Sequence, residues 1–514
     1  MTKPKNVLFI VIDQFRADLL FGDLGRKVDL PNLRAFADDA VSFHNHFSVT
    51  NPCGPSRVSL LTGQYAMNHR SVRNGTPLRH DTPNLATEAR KAGYLPLLFG
   101  YTDVSRDPRA WHPNDPSLKT YELPITGFEE VVEMRLDESY PWRAHLKARG
   151  YDLPDYADFY RPAAAAGQLP RIDDPAFYRA EDSDTAFLTD ACLNALAVRG
   201  AGWFAHLTYI RPHPPFVAPA PYNRMYDNTD LPPPVRHADP EEEGAMHPFL
   251  AASASDAAIA ETVKGFAGLE NSQDNVRRLR AIYAGLASEV DHHIGRVIRF
   301  LKDTGHYDNT LIVITADHGE MLGDHDAWGK STIYQAAYHV PLMIRDPNHA
   351  GQAGRTVADF TESVDLMPTI LSWIGRRPPH SANGRSLAPF LCGERPEDWR
   401  DSSYSELHYG EPVIPTKPQS RLKLTERQAS LAILRTRDHT LVHFNGGLPP
   451  LLFDMTKKGE MKDMAGDPAY AGTLLAMTRR LLDHRMSHAD STLSNIVITP
   501  AGAFDAHGRY DPRD

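Results

Sequence analysis

Residues 53–63 combine a cysteine, an arginine, two serines and a threonine in the order Cys-Gly-Pro-Ser-Arg-Val-Ser-Leu-Leu-Thr-Gly. A Gly-Pro step followed by good helix formers predicts a helix whose first position lies near Pro55, with Cys53 just before it. Free backbone amides and the positive end of the helix dipole would face whatever bound there, and both favour an anion. Taken alone, a cysteine in this position is more often a small buried side chain than a nucleophile.

Two pairs of polar residues follow predicted strands. The strands are the apolar runs at residues 7–12 and 310–315, and one alanine separates the second run from its polar pair. Ligands in open α/β sheets gather at the carboxyl ends of strands, so we expect the two pairs to meet. Carboxylate, amide oxygen and imidazole together suit one divalent cation, whereas the simpler alternative is two strand-end caps. The four candidate metal ligands are Asp13, Gln14, Asp317 and His318.

A histidine and a lysine are candidates for contact with a bound anion. His213 stands among prolines after the apolar run at residues 203–210, and a histidine held rigidly there suits a general acid or an anion clamp. Lys330 lies in a Gly-Lys-Ser triplet, but five residues separate Gly323 from Gly329 where a phosphate-binding P-loop requires four, so we reject that motif. A lone histidine of this kind is more often structural, and an exposed lysine after a loop is more often a solvated charge.

The cysteine segment resembles the signature of the sulfatase superfamily, Cys-x-Pro-Ser-Arg followed by Leu-Thr-Gly, and every position of that signature is present. The resemblance implies that a formylglycine-generating maturation enzyme oxidises Cys53 to formylglycine and that Arg57 holds the resulting group in place. It also implies that the four candidate ligands bind one divalent metal ion. His213 lies in a segment similar to the family motif Pro-His-x-Pro-Phe, and Lys330 matches the lysine that contacts the transferred group.

Gln14 and His318 together resemble the phosphonate monoester hydrolases of this superfamily, and choline sulfatases share the histidine. An imidazole ligand makes a metal site softer, so manganese is favoured and calcium is the alternative. Asn74 and Tyr101 match further pocket positions, which implies contacts with the anion or its leaving group; a turn asparagine and a packed tyrosine are the alternative. Asp103 departs from that branch, which carries threonine there, and an unpaired carboxylate would repel an anionic substrate.

Continuous apolar runs bounded by turn residues indicate parallel strands that are covered on both faces. Helical patterns fall between them, and the clearest places apolar residues at three- and four-residue intervals across residues 274–303. We therefore predict an α/β fold with a mostly parallel sheet flanked by helices, and the resemblance implies an alkaline phosphatase-like fold. The predicted strands of this sheet are residues 7–12, 95–99, 203–210, 310–315 and 340–344.

The last quarter of the chain has shorter apolar runs, which predict a smaller C-terminal subdomain with an antiparallel sheet. Its predicted elements are strands at residues 405–408, 431–435 and 440–444 and a helix at Ala471–Ser487. We divide the chain into a catalytic domain, residues 1–385, and this subdomain, residues 386–514, in which the part from Ser491 is expected to be an oligomerisation arm. The irregular residues 106–184 are expected to shape a substrate pocket or a subunit contact, and residues 212–248 are expected to wrap the same pocket mouth.

The 514 residues carry a formal charge of −10 without any block of basic residues, which argues against a nucleic-acid partner and an anionic membrane surface. The longest early apolar run is too short to cross a membrane or to form a signal-peptide core. Three widely spaced cysteines do not form a disulfide framework, so a cytoplasmic protein is expected. The family resemblance and the C-terminal arm predict a homo-oligomer, a dimer or a tetramer.

The expected activity is promiscuous hydrolysis of small anionic esters, best with phosphonate monoesters and phosphodiesters and extending to sulfate monoesters. The resemblance implies a covalent ester on the hydrated aldehyde that breaks at the enzyme's own C–O bond, so no second attack on phosphorus is needed. The runner-up is an arylsulfatase or a choline sulfatase on the same scaffold. More distant alternatives are a two-zinc phosphatase, for which further ligands are not found, and a binding protein with a decayed site.

Overall fold

The computed structural model describes residues 5–165, 167–254, 259–494 and 496–505. In chain order the strands are β1 (Asn6–Ile12), β2 (Val41–Phe47), β3 (Thr50–Asn51), β4 (Pro96–Gly100), β5 (Glu129–Glu133), β6 (Phe204–Tyr209), β7 (Thr310–Ala316), β8 (Leu342–Arg345), β9 (Thr356–Glu362), β10 (Ser402–His408), β11 (Ser430–Thr436), β12 (His439–Phe444), β13 (Leu451–Asp454), β14 (Ile496–Thr499) and β15 (Gly502–Asp505). The α-helices are α1 (Asp18–Phe21), α2 (Pro31–Ala37), α3 (Cys53–Thr62), α4 (Ala66–His69), α5 (Leu85–Lys91), α6 (Tyr140–Ala148), α7 (Asp184–Ala197), α8 (Pro240–Met246), α9 (Pro248–Ser253), α10 (Gln273–Asp303), α11 (Leu366–Trp373), α12 (Ala388–Leu391), α13 (Lys417–Arg421) and α14 (Ala471–Ser487).

The central sheet has eight strands in the order β5-β4-β6-β1-β7-β8-β2-β9. Neighbours are parallel except at β8, which runs against both β7 and β2. The predicted mostly parallel α/β fold is therefore confirmed, and all five predicted strands are present to within one or two residues at each end. The expectation that residues 340–344 form a parallel strand is wrong, because no α-helix between β7 and β8 carries the chain back to the opposite edge of the sheet.

The side chains of β1 enter two separate hydrophobic clusters, one on each face of the central sheet. Leu8, Ile10 and Ile12 belong to one cluster, and Val7, Phe9 and Val11 belong to the other. Helix α10 covers the first face, and α3 and α11 cover the second. Because both faces are buried, the strand is apolar along its whole length, as the sequence pattern predicted.

The long helix α10 also fixes the turn that follows β1. It begins after Ser272, whose side chain accepts a hydrogen bond from the backbone N–H of Asn275 and caps the helix. The hydroxyl of Tyr283 donates to the carbonyl of Gln14 at 2.8 Å and accepts from the backbone N–H of Arg16 at 3.2 Å.

Among the described residues, no helix is both long and apolar enough to cross a membrane.

The smaller sheet has the order β13-β12-β11-β10-β3. Its first four strands pair antiparallel, which confirms the predicted C-terminal antiparallel sheet. Strand β3 comes from the N-terminal half of the chain and pairs parallel with β10, with Asn51 opposite Leu407. The small sheet is therefore attached two residues before Cys53. The boundary between residues 385 and 386 stays a prediction.

Three strands of the central sheet lack the continuous apolar run that identifies the others. Strand β2 reads Val-Ser-Phe-His-Asn-His-Phe, so polar and apolar residues alternate. Strand β5 lies at the sheet edge within the irregular residues 106–184 and carries three glutamates. Strand β9 is likewise half exposed at the opposite edge. Edge position, rather than weak pairing, explains why the sequences of β5 and β9 are less apolar, whereas β2 is paired on both sides.

We expect Leu286→Ala to lower the free energy of unfolding by about 2–5 kcal/mol, because Leu286 is fully buried in α10 against the central sheet. The measurement is chemical denaturation followed by circular dichroism. Val198→Ala is the control, since Val198 is 83% exposed and its truncation should change stability by less than about 0.5 kcal/mol. Equal effects of the two substitutions would contradict the placement of α10.

Candidate active site

The carboxyl ends of β1 and β7 meet, as their polar pairs predicted. The parallel register sets Ile12 opposite Ala316, so the residues that follow each strand emerge at the same level. The backbone N–H of Gln14 donates to Asp317 Oδ1 at 3.1 Å and ties the two ends together. The four side chains that emerge here are all buried: Asp13, Gln14, Asp317 and His318.

The donor atoms at this junction fit one divalent cation. One ligand atom from each of four side chains lies within 4.8 Å of all the others: Asp13, Cys53, Asp317 and His318. His318 Nε2 is 3.8 Å from an oxygen of each carboxylate, and its Nδ1 lies 3.0 Å from the carbonyl of Gly319. A proton on Nδ1 donates to that carbonyl, so the lone pair of Nε2 points at the carboxylates, which is the usual orientation of a metal-binding histidine.

Burial and mutual charge shift the protonation of this cluster strongly. Burial and the neighbouring charge of Asp13 raise the pKa of Asp317 to about 7. Burial alone would raise the pKa of Asp13. Electrostatic interactions with His213, Arg57 and their neighbours outweigh burial and hold the pKa of that carboxyl below its usual range. Burial and the charge of Lys330 lower the pKa of His318 to about 3, so its imidazole is neutral. A neutral imidazole beside two carboxylates is the form that binds a metal ion.

Cys53 lies at the start of α3, and its Sγ is 3.2 Å from His318 Nε2 and 3.8 Å from Asp13 Oδ1. The helix begins at Cys53, two residues before the position predicted from Pro55, because the N–H of Ser56 already bonds the carbonyl of Pro52. The next amide is not free for an anion as expected: Gly54 N–H donates to Asn74 Oδ1 at 2.9 Å.

Arg57 bridges the two carboxylates. Its Nη2 donates to Asp13 Oδ2 at 3.1 Å and its Nε donates to Asp317 Oδ2 at 3.0 Å, while all three side chains are at most 2% exposed. The guanidinium also lies over the ring of Tyr101, 4.2 Å from its centroid, and its Nη1 donates to the Tyr101 carbonyl. Arg57 therefore sets the spacing of the carboxylates and offsets their repulsion.

Lys330 brings a partly buried positive charge to the same place. Its Nζ is 2.6 Å from Gln14 Oε1, 3.2 Å from Cys53 Sγ and 2.9 Å from His213 Nε2. Burial opposes the charge, but Cys53 and the two carboxylates raise the pKa of Lys330 above its usual value. Burial and Lys330 lower the pKa of His213 to about 3, so a neutral His213 accepts a hydrogen bond from the ammonium.

Two supporting side chains have no motif that would identify them from sequence alone. Glu320 accepts hydrogen bonds from the Gln14 side-chain amide, from Leu322 N–H at 2.9 Å and from Gly329 N–H at 2.6 Å, so it ties the lysine loop to β1. Arg211 is fully buried, pairs with Asp184 at 3.0 Å and donates to the carbonyls on either side of Pro214. The first follows the Asp-His pair and the second precedes the His213 motif, which is the only sequence signal for either.

Tyr101 and Asp103 lie beside the carboxylate cluster rather than in open solvent. The Tyr101 hydroxyl donates a short hydrogen bond to Asp13 Oδ2. Asp103 is 7% exposed, and its Oδ1 has no hydrogen-bond partner among the described residues. Burial, only partly opposed by Arg57, raises the pKa of Asp103 well above its usual value. The shift favours the uncharged acid, which reduces the repulsion expected from an added carboxylate.

A cavity of about 790 Å³ opens onto this cluster. Its lining includes Gln14, Asn74, His213 and Lys330 at the cluster. Farther along it is lined by α8, α9 and the residues that follow β10. Tyr101 is not part of the cavity lining, and its hydroxyl contacts Asp13 instead. The volume lies within the range of small-molecule sites.

A family model described as Sulfatase matches residues 5–376, which includes the cysteine segment, both strand-end pairs, His213 and Lys330. The chain belongs to the sulfatase family. A second model, described as the C-terminal part of N-sulphoglucosamine sulphohydrolase, matches residues 323–487. The sulfatase family hydrolyses ester bonds, and this chain is accordingly an ester-bond hydrolase.

Similarity to proteins of this family extends over nearly the whole chain. The multifunctional alkaline phosphatase superfamily protein PehA of Trinickia caryophylli is 39% identical over 97% of this chain and 98% of its own length. The phosphonate monoester hydrolase SpPMH of Silicibacter pomeroyi is 59% identical, with a TM-score of 0.96 over 99% of this chain and 100% of that chain. The phosphonate monoester hydrolase of Agrobacterium radiobacter is 39% identical, with a TM-score of 0.92 over 98% and 99%. The sulfatase and phosphonate hydrolase fold is thereby established.

We expect Arg57→Lys to lower metal affinity about 10- to 100-fold and stability by about 3–5 kcal/mol, because one ammonium cannot bridge both carboxylates. The measurements are metal content per chain after dialysis and the denaturation midpoint. Arg79→Lys is the control, since Arg79 pairs with Asp81 on the surface and should change neither quantity. Wild-type metal content in Arg57→Lys would rule out this role.

Proposed function

We propose that this protein is a formylglycine-dependent metallohydrolase that cleaves phosphonate monoesters and phosphodiesters and, more slowly, sulfate monoesters. The observation that carries the proposal is the position of Cys53. Its Sγ lies within hydrogen-bonding distance of His318 and of Lys330 and beside Asp13, and Lys330 lines a substrate-sized cavity. The similarity to phosphonate monoester hydrolases over the whole chain supports this substrate class.

The environment of Cys53 favours an aldehyde over a thiolate nucleophile. Burial and the charge of Asp13 raise the pKa of the thiol well above its usual value, and Lys330 offsets this only in part. A thiol that stays protonated at neutral pH is a weak nucleophile. Oxidation of Cys53 to formylglycine by a maturation enzyme would supply a hydrated aldehyde at this position. One hydroxyl of the hydrate could attack phosphorus or sulfur as the alcohol leaves. The second hydroxyl could then lose its proton and expel the bound phosphonate or sulfate by breaking the enzyme's own C–O bond, which restores the aldehyde.

We assign the metal to Asp13, Gln14, Asp317 and His318. The set offers carboxylate and amide oxygens and one imidazole nitrogen, which favours manganese, with calcium as the alternative. A bound divalent ion would supply Lewis-acid activation and neutralise charge on the transferred group. Arg57 keeps the two carboxylates at their spacing, and Glu320 orients the amide of Gln14.

Lys330 and His213 are proposed to act on the substrate together. The ammonium of Lys330 can offset charge on a non-bridging oxygen of the transferred group. His213 accepts a hydrogen bond from Lys330 at 2.9 Å, so a proton can pass from this pair to the departing oxygen. Asn74 lines the cavity next to them and is proposed as a contact of the leaving group, and Tyr101 supports Asp13.

The charge of the site matches singly charged esters. One divalent ion with the ammonium of Lys330 faces one negative charge on a phosphonate monoester, a phosphodiester or a sulfate monoester. A phosphate monoester carries a second charge at neutral pH, which this site has few groups to neutralise because Arg57 is already committed to Asp13 and Asp317. The organic group that remains on phosphorus does not prevent turnover, because turnover needs no second attack on phosphorus.

The proposal includes a cytoplasmic location and a homo-oligomeric assembly. The three cysteines are free in the structure, which suits a cytoplasmic protein. Residues 493–504 expose large apolar side chains, including Leu493 (72%), Ile498 (79%) and Phe504 (59%). Such exposure supports a role of this arm in a homo-oligomer, a dimer or a tetramer.

We expect mass spectrometry of the peptide that contains Cys53 to show conversion of the thiol to an aldehyde. Cys53→Ala should lose at least about a thousandfold in kcat/KM with every substrate, because the nucleophile is gone. Cys192→Ala is the matched control, since Cys192 is also buried but lies in α7 away from the cavity. A fully active protein with an unmodified Cys53 thiol would refute the proposal.

We expect kcat/KM to be highest for 4-nitrophenyl esters of phosphonates and phosphodiesters, lower for 4-nitrophenyl sulfate and lowest for 4-nitrophenyl phosphate. The single charge separates the first three esters from the phosphate monoester, and the similarity to phosphonate monoester hydrolases ranks the phosphonates above the sulfate. Because all four esters share one leaving group, their rates can be compared directly. Assays of fully modified, metal-loaded protein test it, with Cys53→Ala as the blank. Faster turnover of the sulfate would favour an arylsulfatase or choline sulfatase, and faster turnover of the phosphate monoester would contradict the charge argument.

A further inference from the structure

One wall of the cavity is apolar, in contrast to the charged cluster at its closed end. We call this wall the apolar subsite; its residues are Phe249, Leu250, Leu407 and Tyr409. All four are at most 7% exposed and belong to one hydrophobic cluster, which lies between α9 and the small sheet. The rings of Phe249 and Tyr409 are 4.8 Å apart and tilted by 58°, so they form a continuous surface.

The strand register places the apolar subsite beside the start of α3, where Cys53 lies. Leu407 in β10 pairs with Asn51 of β3, and the two strands are parallel. Tyr409 follows Leu407 by two residues, and Cys53 follows Asn51 by two residues. Tyr409 and Cys53 therefore leave the two paired strands at the same end of the small sheet.

The basic groups beside the apolar subsite already contact carboxylates. Arg73 is 2.7 Å from Glu426 and 3.7 Å from Glu411. Glu243 accepts from Tyr334 and is 3.2 Å from His325, whose ring stacks on that tyrosine at 3.6 Å. Arg73 and His325 are therefore poorly placed to bind a second anionic group, whereas an uncharged group finds an apolar wall.

We propose that the apolar subsite binds the organic group that stays on phosphorus and that this group is uncharged and aromatic or bulky aliphatic. His213 follows β6 and Lys330 follows β7, whereas the apolar subsite belongs to α9 and to β10 and the residues after it. The leaving group, placed at His213 and Lys330, and the retained group would therefore occupy different parts of the cavity. A sulfate monoester has no retained organic group and cannot use the subsite. The inference rests on the proposed function and adds a reason for its order of substrates.

The test compares three esters that share the 4-nitrophenyl leaving group: 4-nitrophenyl phenylphosphonate, 4-nitrophenyl methylphosphonate and 4-nitrophenyl sulfate. In the wild type, kcat/KM for the phenylphosphonate should exceed that for the methylphosphonate roughly 10- to 100-fold, because burial of the ring adds binding. Tyr409→Ala should remove most of this preference and leave the methylphosphonate and the sulfate within about twofold of the wild type.

Tyr409→Phe is the matched control, because it keeps the ring and removes a hydroxyl that has no hydrogen-bond partner among the described residues. It should keep the preference for the phenylphosphonate. Gly244→Leu gives a second test that does not depend on Tyr409. Gly244 lines the cavity in α8, and a side chain there would meet Ala251 only at 3.4 Å, so leucine should narrow the cavity and slow the phenylphosphonate selectively.

Each outcome separates the two proposals. Loss of the phenyl preference in Tyr409→Ala and Gly244→Leu, with methylphosphonate turnover retained, supports the subsite. An unchanged preference in both variants, or the absence of a preference in the wild type, overturns it while the proposed function stands. Absence of methylphosphonate turnover in the modified wild-type protein would instead refute the proposed function.

Discussion

The bridge from Arg57 to Asp13 and Asp317 is the interaction on which the rest of the site depends. Two carboxylates that are at most 2% exposed would repel each other strongly, because little water remains to screen them. The guanidinium spans both at 3.0–3.1 Å and stacks on Tyr101. A planar group with several donors can do this, whereas a single ammonium cannot. The carboxylates thus stay close enough to share one cation.

This bridge explains why other parts of the fold are built as they are. Helix α3 must start at Cys53 so that its next turn brings Arg57 to the strand ends. The strand register must set the ends of β1 and β7 level, and α10 must hold the turn after β1 through Tyr283. Glu320 then closes the lysine loop over the cluster. The candidate catalytic groups come from distant parts of the chain and are brought together by hydrogen bonds and buried ion pairs between side chains.

The two sheets are proposed to contact different parts of an ester. The central sheet supplies every proposed metal ligand, and His213 follows β6. The charged phosphorus or sulfur centre of an ester would therefore bind at the central sheet. The small sheet meets the chain at β3, beside Cys53, and contributes an apolar wall. A substrate that has both a charge and an organic group can contact both sheets at once. This arrangement agrees with the similarity to phosphonate monoester hydrolases, which extends over the whole chain and therefore includes both sheets.

The sequence by itself determined the α/β class, the five apolar strands and the candidate ligands, because buried parallel strands are continuously apolar and ligands gather at their carboxyl ends. It could not determine the direction of β8 or the edge strands, since polarity does not record strand direction and edge strands are half exposed. Only the tertiary structure decided the partners of Gly54, Glu320 and Asp103. Those contacts join residues far apart in the chain, and no local pattern encodes which distant side chain fills a given space.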